Sequence, residues 1–480
     1  MSTWNGNFVS ERLGVSIHSD PAAFVPVEDL VGLALRRNPK RAHLLVSTVL
    51  AKHIPTEPAL VIAAGELLGA IVAMELAALG HDAAAAAPTA EAVAAAAAQL
   101  GEVLRRPVGQ RRDAIDILAT QVAGLRTQVP GAVVIGYAET ATGLGRLVAN
   151  ALGAWYIHST RHATPGVEPV AGFEEGHSHA TSHAMVPTDP HWLDGAGPVV
   201  LVDDEFSTGS TVINTIRELH ALSPHPVYIV AALIDLRGAA DRARFDALAE
   251  ELGCRIAVTA LGTGRIELGE SILDRAADLI SGLPDHVADA PLAGRLSVLE
   301  LSAADTAPVR SDRFGNASPP ATADVAAIAS HVAAHLGSHG CRGPVAVVGC
   351  EENMFLPLAV ARALEDLLPG TPVLFSTTTR SPIVPVDDSG YAVAGALRFA
   401  SHDATNDGPG IRFAYNLSGA GQRPGTILVF PEPGTGSSDV TTSSVPGLEP
   451  LAAAMASAAD DAVVVLLPAN DPARQTEDAR

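Results

Sequence analysis

Residues 199–211 read Val-Val-Leu-Val-Asp203-Asp204-Glu205-Phe206-Ser207-Thr208-Gly209-Ser210-Thr211. Four apolar residues, fit for a buried strand, end in two adjacent carboxylates. A turn of small hydroxylated residues and glycine follows, then an amphipathic helix from Val212 to Leu222. Ligands of open α/β sheets bind at the carboxyl ends of strands, and a helix N-terminus offers unsatisfied N–H groups to an anion. Gly209 lets the backbone approach a phosphate closely, and the Ser and Thr hydroxyls add neutral donors. Paired carboxylates repel a phosphate but accept hydrogen bonds from vicinal hydroxyls. The set fits a sugar phosphate with a free diol, as in ribose 5-phosphate. A plain βα turn with a capping Ser or Thr leaves the two acids unexplained.

The surrounding pattern supplies the frame for this site. Residues 131–157 predict strand (131–136), loop (Tyr137 to Gly145), helix (Leu147 to Leu152) and strand (155–157), a βαβ unit of a parallel sheet. Residues 198–202 and 227–233 predict two more buried strands. Between them and the βαβ unit lies a long polar, His- and Pro-containing excursion, residues 159–191. Pro58 to Gly80 is the most apolar stretch, interrupted by Glu66 and Glu75, and predicts a buried helix rather than a membrane span. Residues 82–98 are Ala-rich and predict a helix or helical connector. Gly143-Leu-Gly145 alone is a weak dinucleotide-site hint, because no acid-terminated second strand sits at the required spacing.

Bulk properties narrow the class. With 480 residues, two or three domains are expected. The 53 acidic against 31 basic residues, net −22, argue against a general nucleic-acid binder, which needs basic patches. Phosphate ligands stay open to it, since backbone N–H groups and Mg²⁺ can hold them. Cys254, Cys341 and Cys350 have neither metal-ligand spacing nor the number for a disulfide framework. Glu11 and Arg12 interrupt any leader-like apolar run. A cytoplasmic protein without membrane segments is expected.

The stretch from Val199 to Thr211 resembles the binding signature of type I phosphoribosyltransferases for 5-phosphoribosyl 1-diphosphate (PRPP). The resemblance implies that Asp203 and Asp204 contact the ribose hydroxyls and that Ser207, Thr208, Gly209, Ser210 and Thr211 cradle the 5′-phosphate. It implies that the loop carrying Tyr137, Ala138, Glu139, Thr140, Thr142 and Gly143 binds pyrophosphate and Mg²⁺, although it lacks the basic residue many members carry there. The excursion takes the place of the mobile catalytic loop, with Arg161 as a candidate clamp on pyrophosphate. His177, His179 and His183 in that excursion are open to three readings: contact with substrate, metal ligation or ordinary surface histidines. The chain has two lysines only, Lys40 and Lys52. Either a compact ammonium is needed there, or chance left them on a surface helix.

The second half repeats the pattern of the first. Val345 to Asn353, a helix, then Val373 to Pro382 parallel Val133 to Thr140, a helix, then Trp155 to Arg161. Thr426 to Ser437 parallels Val199 to Ser210, with Glu432 set on Glu205 and Thr435, Gly436 and Ser437 set on Thr208 to Ser210. The diol-binding acids then become Phe430 and Pro431. A degenerate copy that keeps a phosphate-type loop is expected. Thr379-Arg380-Ser381-Pro382 resembles the tetrapeptide of the phosphoribosyltransferase–TRSP proteins of bacterial tellurium-resistance and stress-response operons. Arg380 and Ser381 become candidates with it.

The expected organisation is a hood or helical segment (1–57), a phosphoribosyltransferase domain (58–290), a linker (291–325), a TRSP-type α/β domain (326–470) and a tail (471–480). The activity implied is phosphoribosyl transfer from PRPP to a base-like small-molecule acceptor, with Mg²⁺ as cofactor. The alternatives are a non-catalytic PRPP sensor and a PRPP synthase-like kinase. Many such enzymes are homodimers, and an internal repeat can replace the dimer.

Overall fold

The computed structural model describes residues 6–37, 43–81, 86–164, 166–174, 182–283, 294–341, 343–403, 405, 408–418 and 423–472. The hood holds α1 (Asn7–Leu13), β1 (Ser16–Ser19), α2 (Val27–Leu30), β2 (Val31–Leu35) and β3 (His43–Ser47). The first half continues with α3 (Pro58–Ala78), α4 (Ala90–Leu104), α5 (Arg112–Ala123), β4 (Val133–Gly136), α6 (Thr142–Leu152) and β5 (Trp155–His158). An antiparallel ribbon, β6 (Ala171–Glu174) and β7 (Ser182–Met185), precedes β8 (Val199–Phe206), α7 (Ser210–Leu222), β9 (Val227–Asp235), α8 (Ala239–Leu252), β10 (Arg255–Glu267) and α9 (Ile272–Ser281). The second half comprises β11 (Arg295–Glu300), α10 (Thr322–His339), β12 (Val345–Gly349), α11 (Phe355–Leu367), β13 (Val373–Thr377), a second ribbon of β14 (Ala396–Ala400) and β15 (Ile411–Tyr415), β16 (Thr426–Phe430), α12 (Ser437–Thr441), α13 (Leu451–Ala458) and β17 (Asp461–Leu466).

Both halves are α/β with a parallel sheet. The first sheet runs β1-β10-β9-β8-β4-β5, and only β1 is antiparallel. The second runs β11-β17-β16-β12-β13, all parallel. The central strands are β-branched and buried along their length, as in Val133–Gly136, Val345–Gly349 and Asp461–Leu466, which suits sheets covered on both faces. Helix α3 is apolar all round and long enough to span a membrane, but 78% of its most apolar window is buried in the protein. Gly65 and Gly69 bring it against α6: a Cβ on either would sit 2.6 Å from Leu147 or 2.5 Å from Ala151. It is a core helix of the first half.

Four strands of each sheet share one order. Reading outward, β5-β4-β8-β9 matches β13-β12-β16-β17, with an antiparallel ribbon inserted after the edge strand each time. The fifth place differs. The first half fills it with β10, which follows in sequence, and the second with β11, which precedes. Hydrogen bonds repeat as well. Ser159 N donates to Gly136 O at 3.0 Å and Thr378 N to Gly349 O at 2.9 Å. Ala138 N donates to Ser159 Oγ at 2.9 Å and Glu351 N to Thr378 Oγ1 at 3.0 Å. His162 N donates to Thr160 Oγ1 and Ser381 N to Thr379 Oγ1. The second half is therefore built as a copy of the first over these four strands.

The halves also exchange segments. Thr56, just before α3, pairs with Phe375 of β13, and Asn316, before α10, pairs with Tyr156 of β5. These two contacts are reciprocal, since Phe375 and Tyr156 hold equivalent places on the matched edge strands.

Several expected boundaries move. The expected linker carries β11, which pairs with β17 over six residues, because Leu296, Val298 and Leu299 complete the edge of the second sheet. The tail cannot begin at 471: Asp471 is buried and ion-paired with Arg313 at 3.2 Å. Helix α6 begins at Thr142, so Thr142 and Gly143 lie in its first turn rather than in the loop. Strand β8 runs on through Asp203, Asp204 and Glu205, held by pairing with Ala232 to Ile234 of β9.

Candidate functional site

The site forms where β4 ends at Gly136 beside its neighbour β8, which runs on past it to Phe206. Asp203 and Asp204 are both half-buried at the end of β8, and the strand pleat sends them to alternate sides. Asp203 Oδ1 accepts from Asp204 N at 2.9 Å. Tyr137, at the end of β4, is buried near Asp203; burial first, and then the Asp203 charge, push its phenol well above the ordinary value. Gly209 takes φ +71° and caps α7. A Cβ there would lie 2.6 Å from Phe245, whose ring is covered by the Arg237 guanidinium, itself bonded to Asp235. The turn is thus fixed from below, while Ser207 is exposed and Thr208, Ser210 and Thr211 are partly so. Thr208 Oγ1 and Ser210 Oγ are 3.2 Å apart, and both terminal nitrogens of Arg244, from α8, lie 3.2 Å from Ser210 Oγ. Nothing in the sequence pattern marks Arg244, which sits on a solvent-facing helix.

The loop after β4 spans 137–141, and its Ala138–Glu139 peptide is cis. Gly136 and Gly145 must be glycine, since a Cβ on either would meet Tyr156 at 2.5 or 2.8 Å. The loop has no cation of its own, but two reach it from elsewhere. Lys52 Nζ donates to Thr140 Oγ1 at 2.6 Å, and Arg380 of the second half pairs with Glu139. Lys40 lies outside the described residues. So do His177 and His179. His183 is buried, 3.0 Å from Ser159 Oγ through Nδ1 and 3.1 Å from Arg161 Nη2 through Nε2. An acceptor role for Nε2 toward the guanidinium leaves the proton on Nδ1. Arg161 is thereby tied into a chain that runs through His183 and Ser159 to Ala138 N of the loop.

Residues 30–265 match the family model described as "Phosphoribosyl transferase", and residues 310–442 match that described as "TRSP domain C terminus to PRTase_2". The chain belongs to the phosphoribosyltransferase–TRSP family. Its first half is a phosphoribosyltransferase-type domain and its second a TRSP domain. Similar solved structures include adenine phosphoribosyltransferase from Trypanosoma brucei, at 18% identity over 27% of this chain and 54% of that one, TM-score 0.21. The adenine phosphoribosyltransferases of Saccharomyces cerevisiae (18% identity, 27% and 66% coverage, TM-score 0.18) and Rhodothermus marinus (20%, 33% and 82%, TM-score 0.21) are others. This chain thus spans about half of the first enzyme's length and just under two thirds of the second's. No curated protein matches the sequence.

The TRSP half of this phosphoribosyltransferase–TRSP protein does not rebuild the turn of Ser207 to Thr211. Strand register sets Phe430 beside Gly349 as Val202 stands beside Gly136, so Pro431 and Glu432 take the places of Asp203 and Asp204, one residue on from the sequence alignment. Glu432 is spent on Ser311 Oγ, 2.7 Å, and Arg313, 3.6 Å. Thr435 Oγ1 donates back to Glu432 O, and Gly436 has an ordinary φ of −84°. Gly436 N donates to Asp439 Oδ2 at 2.9 Å, so a carboxylate of the chain already holds the start of α12 before Ser437. Ser381 is buried, its carbonyl taken by Tyr415 OH at 2.5 Å. Arg380 alone of these second-half candidates reaches the first site. A cavity of about 780 Å³ joins the halves on the hood side, lined by Val31, Leu33, Ile54, Tyr391, Ala392 and Asn416 among others.

Proposed function

We propose that the first half transfers a 5-phosphoribosyl group from PRPP to a base-like small nucleophile and releases pyrophosphate. One observation carries this reading: a carboxylate pair in β8 just beyond the end of β4, followed by a glycine-opened turn into α7, beside the loop after β4 on the adjoining strand. In this reading Asp203 and Asp204 accept hydrogen bonds from the ribose hydroxyls. Ser207 to Thr211 and the N-terminus of α7 hold the 5′-phosphate, with Arg244 adding charge. The loop 137–141 and the first turn of α6 hold the diphosphate. The bond from ribose C1 to the diphosphate oxygen breaks, with its electron pair leaving on pyrophosphate. The nucleophile's lone pair then forms the new bond to C1, and its proton passes to solvent. Positioning and preorganised charge would supply most of the rate.

Magnesium fits this donor set. One half-buried carboxylate of β8 would offer a hard oxygen of the kind the ion prefers, and substrate oxygens would supply most of its shell. Among the described residues no cluster of three or more His, Cys, Asp or Glu could hold a metal. When bound it would neutralise charge on the leaving group.

Lys52 and Arg380 bring to this loop the positive charge that its own residues lack. Calorimetric titration with PRPP and Mg²⁺ tests the site, beside Asp203→Asn/Asp204→Asn. Binding by the parent that the double variant loses is expected. A folded parent that binds no PRPP overturns the proposal.

A further inference from the structure

We infer that Arg380, from the TRSP half, is a diphosphate-binding residue of the first half's site. The inference rests on the function proposed above and goes on to name what the second half contributes to it. The reasoning starts from the reciprocal arrangement of the halves. Glu139 and Glu352 hold equivalent positions, three residues beyond Gly136 and Gly349. Arg161 and Arg380 are equivalent too, each following an edge strand. Each glutamate meets the other half's arginine segment: Glu139 pairs with Arg380, and Glu352 Oε1 accepts from Arg161 N at 2.7 Å.

The two contacts are alike in origin but not in state. The Glu352 carboxylate is 1% exposed and also accepts from Thr160 Oγ1 at 2.7 Å, with His162 and His158 at 3.7 and 3.9 Å. It is closed off and serves to join the halves. The Glu139–Arg380 pair remains 10% and 17% exposed. Glu139 Oε1 has the ion pair but no hydrogen bond of good geometry. This open pair lies at the loop of the half that keeps Asp203 and Asp204.

A carboxylate in a loop that must hold a diphosphate opposes its own ligand unless it is neutralised. Arg380 does that here, and it is held in readiness from behind. Its Nε is 3.3 Å from Glu351 Oε2, and Glu351 also pairs with Arg412. Glu351 is thus bracketed by two guanidiniums at the same place in the second half. Arg380 spans from that anchor to the first half's loop. A diphosphate entering beside Glu139 brings a denser negative charge within reach of the same guanidinium, whose planar fork suits phosphate oxygens.

The test uses the full chain and two probes, inorganic pyrophosphate with Mg²⁺ and ribose 5-phosphate, each titrated calorimetrically. Arg380→Ala is expected to weaken pyrophosphate binding by about tenfold or more and to leave ribose 5-phosphate unchanged. Glu139→Gln, which removes one of the two carboxylates on the guanidinium without cutting the side chain, is expected to tighten pyrophosphate binding and gives a reading even if Arg380→Ala fails to fold. Unchanged pyrophosphate affinity in a folded Arg380→Ala, equal loss of both probes, or weaker pyrophosphate binding in Glu139→Gln overturns the inference. A parent that binds ribose 5-phosphate but no pyrophosphate also overturns it. A parent that binds neither overturns the proposed function, and this inference with it.

Discussion

Lys52 donates from Nζ to Thr140 Oγ1 at 2.6 Å, so one of only two lysines in 480 residues crosses from the hood to the loop after β4. Ala51 O, beside it, accepts from Thr377 N of β13 at 3.1 Å. The second half therefore helps to place a lysine that bonds to the first half's loop. Lys52→Met is expected to lower PRPP affinity about tenfold, the worth of one charge-assisted hydrogen bond to a phosphate. Lys52→Arg should recover part of it. Calorimetry on folded variants checks both, and parent-like affinity in Lys52→Met would remove the lysine from the site.

Gly209→Ala forces a side chain into a left-handed conformation and into the Phe245 ring. The left-handed backbone alone costs about 1–2 kcal/mol, and the collision must shift the turn. Ribose 5-phosphate binding should fall by more than tenfold, with a lowered melting temperature. Thr211→Ser at the same turn keeps the hydroxyl and loses only a methyl, so it should keep both.

Glu352 links stability to pH. Burial alone would raise its carboxyl, but the charges of His162 and His158, the Arg161 N–H and the Thr160 hydroxyl outweigh burial and hold it below the ordinary value. A depressed carboxyl stabilises the fold above its unfolded value, about 4.3, and that stability is lost as pH falls through the folded value. Glu352→Gln should therefore be less stable than the parent at pH 7, and the gap should close as the pH is lowered below about 4. Urea midpoints across pH 3 to 7 read this directly. A gap that stays constant would mean that the carboxylate's charge does not join the halves.

Arg146 is fully buried, stacked over Tyr156 at 4.5 Å and ion-paired with Asp312. Asp312→Ala leaves a charged guanidinium without its counter-ion and should cost about 3–5 kcal/mol. Arg146→Met/Asp312→Leu should recover a good part of that, as buried pairs replaced by apolar side chains often do. Chemical denaturation of the single and double variants gives the comparison.

The strand that carries the acid pair and the glycine turn into α7 were legible because they lie within thirteen consecutive residues and because strand and helix periodicity frame them. Composition singled out Lys52, but its contact with Thr140 leaves no mark in the sequence. The start of α6 was not, since Gly143 and Gly145 are poor helix formers; Tyr156 and Met354, close against those glycines, decide the matter by packing. The partners of Arg146 and Thr160 lie 166 and 192 residues away, where no local pattern points to them. The linker was misread because β11 borrows its partner β17 from the far end of the chain. The repeat shows in the residues, but its register is set by strand pairing, one residue on from the sequence match.

The exchanged segments also constrain how the molecule is made. Synthesis runs from the amino end, so β5 leaves the ribosome long before Asn316 arrives to pair with Tyr156, and Thr56 waits still longer for Phe375. Until then the first half carries an open strand edge, the kind of surface on which nascent chains associate wrongly. A gene truncated between the halves would deliver that unfinished edge as its final product, so selection on either half acts on both.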